Sequence, residues 1–154
     1  MRVAFYRDDE ARVTGWHAVR GKRIRIPGTV MALGRGDISH DLAQYVVEAA
    51  TSYQVGFWGL LSRGATFRST GRKRTRPGRA IVVEHRADLD KAEQIAGLHI
   101  AAWRAGEANP VADALTVASL QFQSLGPADE LVFEWPSPHG ELVRLAEQAG
   151  SISH

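Results

Sequence analysis

Along the first third of the chain, apolar residues are spaced as they are in strands. Arg2–Tyr6 is a short β-prone run, Asp8-Asp9-Glu10 a polar turn, and Val13–Val19 a second β-prone run. After Gly21, Arg23-Ile24-Arg25-Ile26 alternates charged and apolar residues, which puts Ile24 and Ile26 on a buried face and the arginines in solvent. Pro27-Gly28 breaks or bends this strand, and Thr29–Leu33 continues it. The simplest assembly is an antiparallel meander.

The spacing then becomes helical. Asp37 or Ser39 is placed to accept a hydrogen bond from a free N–H at a helix start, and Leu42, Tyr45, Val46, Ala49 and Ala50 follow on one face. This predicts an amphipathic helix over 38–53. Gly56-Phe57-Trp58-Gly59-Leu60-Leu61 predicts a short second helix, capped by Gly64. Ala80-Ile81-Val82-Val83 reads as a short buried strand. Asp88 or Asp90 opens a helix that Gly106 and Asn109-Pro110 end, and 111–125 forms a further helix with few charges. Leu131–Trp135 is a last strand, 139–149 an amphipathic closing helix, and 151–154 a frayed tail.

No linker or repeat divides the chain, so residues 1–150 are expected to form a single domain, as the length of 154 allows. Regular βα alternation is missing. The order therefore predicts an α+β fold, an N-terminal antiparallel β-meander with about five helices packed on the sheet.

Composition narrows the chemistry. The chain has no cysteine, which excludes disulfides, thiolate catalysis and cysteine-ligated metals and agrees with a cytoplasmic location. No apolar run is long enough to span a membrane, and no export signal precedes the first charges.

The net charge of +2 conceals an asymmetry. From Arg63 to Arg86 eight basic residues face Glu84 alone, so this segment carries +7 and the remainder −5. Its centre, Arg68-Ser69-Thr70-Gly71-Arg72-Lys73-Arg74-Thr75-Arg76-Pro77-Gly78-Arg79, is expected to be a loop or hairpin tip, extended and mobile through self-repulsion. The six cations Arg68, Arg72, Lys73, Arg74, Arg76 and Arg79 suit an anion such as phosphate, with Ser69, Thr70 and Thr75 as added donors. Apart from Phe67 at its border, the segment has no aromatic to stack on a base. A solvated loop, or one paired with Asp88, Asp90 and Glu93, would have the same composition.

A second constellation opens the 38–53 helix. His40, Gln44 and Glu48 fall at i, i+4 and i+8, one stripe, with Asp41 beside it. A histidine and a carboxylate on one face suit acid–base work (His40, Asp41 and Glu48 with His99) or a metal site (His40 and Glu48 with His85). Glutamine at the middle position departs from the two-histidine zinc pattern, and an ordinary polar helix face explains the stripe equally well. Gly56–Gly64 is not a phosphate-binding loop, since it lacks both the GxGxxG pattern and the phosphate-loop lysine, and the sequence leaves any cofactor unknown.

Three readings of function follow. The first is a small soluble accessory protein that engages nucleic acid, a nucleotide or an acidic protein face through the arginine-rich loop. The second is a metal-assisted or His/Glu hydrolase. The third is a homo-oligomeric structural subunit, paired through Phe57–Trp58 or the 111–125 helix.

Overall fold

Strand β1 (Arg2–Asp8) pairs antiparallel with β2 (Val13–Arg20), with Phe5 opposite Trp16. The Asp8 carboxylate accepts a hydrogen bond from the Ala11 N–H at 2.9 Å and so closes the turn between them. The computed structural model describes residues 1–34 and 37–137. β3 (Ile24–Ile26) pairs with the end of β2 and β4 (Val30–Ala32) with its beginning, so together they form one outer strand bent at Pro27–Gly28–Thr29. Gly28 sits at φ +74°, and a Cβ there would lie 1.8 Å from the Trp16 carbonyl oxygen, so the bend requires glycine. β5 (Leu131–Glu134) joins the opposite edge, antiparallel to β1. The sheet has five strands.

Strand periodicity gives this sheet an inner face bearing Val3, Phe5, Trp16, Ala18, Ile26 and Phe133, all in the hydrophobic core. Helix α1 (His40–Ala50) lies at the centre of the fold and is buried from Leu42 to Ala49. Ser39 caps it by accepting the Leu42 N–H at 3.2 Å. α2 (Phe57–Ser62) follows, and Gly64 at φ +109° turns the chain after it. α4 (Arg86–Arg104) and α5 (Ala112–Gln123) pack against α1. Phe5, Trp16, Tyr45 and Trp58 meet edge to face, with Trp16 and Trp58 ring centres 4.7 Å apart.

The fold is α+β, as expected, with one element changed. Residues 80–83 are helical, inside α3 (Arg76–Glu84), and do not form a strand. Thr75 accepts the Gly78 N–H at 3.0 Å, and Pro77 occupies the first turn, which needs no N–H from it. The β-branched Ile81-Val82-Val83 run suggested a buried strand, but no strand among the described residues pairs with it and Val83 is 73% exposed. The expected 139–149 helix and 151–154 tail lie outside the described residues. Among the described residues no helix is long and apolar enough to cross a membrane.

Candidate functional site

The arginine-rich segment is bonded back onto the fold, and from Arg76 onward it is helical, part of α3, where a loop or hairpin tip was expected. Thr66 and Thr70 are buried beneath it. The Thr66 hydroxyl oxygen accepts the Thr75 N–H at 3.2 Å, and the Thr66 N–H donates to the Gly78 carbonyl. Thr70 donates to the Phe67 carbonyl at 3.1 Å. Across to the sheet, Gly71 N–H donates to the Gly28 carbonyl and the Thr29 hydroxyl to the Ser69 carbonyl. Short polar side chains thus satisfy the loop backbone and hold it in place despite the repulsion. Of the hydroxyls expected as phosphate donors, that of Thr70 donates within the segment, while the Thr75 oxygen accepts the Gly78 N–H at the start of α3.

The anchored loop separates the six predicted cations. Arg68, Arg74 and Arg79 line a cleft of about 410 Å³ together with Arg86. Phe67, Val82 and Val83 supply its apolar surface, and no carboxylate among the described residues lines it. None of the ion pairs among the described residues uses any of these arginines, or Arg72, Lys73 or Arg76. Pairing with Asp88, Asp90 or Glu93 is therefore not how the loop is neutralised. Asp88 instead meets His85, with Nδ1 2.8 Å from a carboxylate oxygen. Arg72 stands away from this cleft, close enough to Arg20 to add to the effect of burial in lowering the Arg20 pKa. Arg20 donates to the Leu61 carbonyl at 2.9 Å.

Arg86 was missed as a site residue because 80–83 read as a strand. Along a helical path Arg79, Val82, Val83 and Arg86 fall at i, i+3, i+4 and i+7, one face carried across His85, the joint between α3 and α4.

The His40 stripe divides in two. His40 is exposed at the start of α1, whereas Gln44 and Glu48 are buried, Glu48 at 1% exposure. The stripe is therefore not a solvated polar face. One Glu48 carboxylate oxygen accepts Gln44 Nε2–H at 3.0 Å and the other the Trp58 backbone N–H at 3.1 Å. Glu48 thus caps the start of α2, where free N–H groups favour a negative charge. Gly56 makes room for it, since a Cβ there would meet the carboxylate at 2.4 Å. Burial pushes the Glu48 pKa up to about 7, opposed by the bonds from Gln44 and the α2 backbone.

His40 Nδ1 lies 3.4 Å from Asp41, and this contact raises the His40 pKa. The other Asp41 oxygen accepts Trp16 Nε1–H at 3.1 Å. His40, Asp41 and Gln44 line a second cleft, of about 390 Å³, facing Asp90 and Glu93 of α4. Neither His85 nor His99 lines either cleft, so the histidines are not gathered around His40 there. Among the described residues no group of three or more His, Asp or Glu is arranged to hold a metal ion. Trp58 is 1% exposed and packed into the aromatic core, so Phe57–Trp58 does not form an exposed dimer patch. On α5 the large exposed apolar residue is Leu120.

No protein-family model, curated protein or solved structure matches this chain.

Proposed function

We propose that this protein binds an anionic partner in the cleft formed by Arg68, Arg74, Arg79 and Arg86. The observation that carries the reading is a concave surface lined, among the described residues, by four arginines and no carboxylate, on a segment tied down by its own hydrogen bonds. Each guanidinium forms no ion pair among the described residues and can present a two-pronged donor face to phosphate or carboxylate oxygens. Ordering the loop before binding lowers the entropy lost on association. The apolar surface of Phe67, Val82 and Val83 favours a partner with a hydrophobic or planar part next to its charge over a bare inorganic ion.

Fluorescence anisotropy with labelled single- and double-stranded DNA and RNA, titrated over about 50 to 200 mM salt, tests this. Four arginine–phosphate contacts predict a log–log salt slope of about −3 to −4. The Arg74→Ala/Arg79→Ala double variant should lower that slope by about 2 and weaken binding to every sequence alike. Failure to bind at low salt, or binding indifferent to the two substitutions, would overturn the nucleic-acid form of the proposal.

A further inference from the structure

The two clefts share a border. Phe67, Ser69 and Arg86 line both of them. On one side of that border lie the arginines. On the other the charged residues are mainly acidic, Asp41, Asp90 and Glu93, with the Gln44 amide among them. Phe57 and Phe67 both line this second cleft, their ring centres 4.6 Å apart. Trp58 lines it too, and its indole N–H is a buried donor with no partner among the described residues.

We infer that the paired clefts form one bipartite site for a nucleotide, with its phosphates among the arginines and its base in the acidic, aromatic cleft. This rests on the anion-binding reading above and adds to it an orientation and a ligand class. Charge fixes the orientation, because phosphate is attracted to one cleft and repelled by the carboxylates of the other. A base is uncharged and stacks on aromatic side chains. Its exocyclic amino group donates hydrogen bonds that carboxylates accept, as Asp and Glu accept from the cytosine amine. Amino-bearing bases (adenine, cytosine, guanine) therefore suit the second cleft better than uracil. Each cleft falls within the size range of small-molecule sites. The nucleotide can be free or a unit of a single strand, and both sources present the same chemistry.

Calorimetric titration of the whole chain, without divalent metal, compares tripolyphosphate, ATP, UTP and a short oligoadenylate. ATP should bind about tenfold or more tightly than tripolyphosphate, the gain that one stacked base provides, and more tightly than UTP. Replacing the exposed carboxylates, Asp90→Ala with Glu93→Ala, should bring ATP down to the level of tripolyphosphate. Tripolyphosphate binding should hold or strengthen in that variant, because nearby negative charge has been removed. Arg74→Ala/Arg79→Ala should weaken both ligands. Circular dichroism and melting curves that match the parent chain show that each variant is folded.

Tighter binding of the oligoadenylate than of ATP assigns the site to a strand, and the reverse to a free nucleotide. Both outcomes support the inference. If tripolyphosphate binds as tightly as ATP, or the preference for ATP survives loss of Asp90 and Glu93, the bipartite site is wrong while the anion cleft stands. If no ligand binds at low salt, both fall.

Discussion

Glu48 is the one carboxylate among the described residues that folding removes from water almost completely. Replacing it with glutamine changes its charge and keeps its shape. The amide oxygen still accepts the Trp58 N–H, and the Gln44 amide can turn its oxygen toward the new NH₂ group. Folding raises the Glu48 pKa from an ordinary 4.5 to about 7, so between those values the folded chain binds more protons than the unfolded one. The stability this gives is fully present below about pH 4.5 and is lost as pH rises through about 7. At about 1.4 kcal/mol per tenfold change in proton affinity, the full loss is about 3 kcal/mol, most of it between pH 5 and 8. Glutamine cannot titrate and escapes this loss. Groups common to both chains cancel when the two are compared.

The assay is urea unfolding followed by tryptophan fluorescence, for parent and Glu48→Gln, at pH 5 and pH 8. The gap between their stabilities should shift by about 2–3 kcal/mol in favour of the variant at the higher pH. With a slope of about 2 kcal/mol/M, that moves the midpoints relative to each other by about 1 M urea. Glu48→Ala should lose about 3 kcal/mol or more at both values, since it leaves buried donors on Gln44 and Trp58 unpaired beside a cavity. If the stabilities of parent and Glu48→Gln run parallel with pH, Glu48 is not a buried titrating cap and the reasoning fails.

Gly28 and Gly21 both have positive φ, but only Gly28 has backbone where a Cβ would go. Gly21→Ala should therefore cost about 1 kcal/mol and Gly28→Ala several times that, read from urea midpoints. Thr75→Ala removes the cap of α3 and should lower stability by about 1 kcal/mol, with a drop in helical circular dichroism. Asp41→Asn should lower the His40 pKa, because the Asp41 contact is the largest cause of its rise. An NMR titration of the His40 ring reads this directly, and an unchanged midpoint would contradict the assignment.

Much of the fold follows from local rules that act over a few residues. The alternation in Arg23–Ile26 and the Pro27–Gly28 break are enough to predict an outer strand with a bend, as observed in β3 and β4. Ser39 followed by apolar residues at helical spacing is enough to place α1. Local rules failed at 80–83, where β-branched residues outweighed the Thr75 cap and Pro77, although both signals were present in the sequence. That same error hid the face joining Arg79 to Arg86.

The charge asymmetry belongs to the sequence alone, because counting residues needs no partner. Where the charges point was decided by tertiary packing. Thr29 and Gly28 on the sheet tie down Ser69 and Gly71, with Arg68, Arg74 and Arg79 at the cleft and Arg72 near Arg20. Packing also decided the fate of Glu48. Spacing put it on a stripe with His40, but only the approach of α2 could turn a surface carboxylate into a buried cap. Burial and long-range hydrogen bonds depend on residues distant in the chain, and no local pattern encodes them.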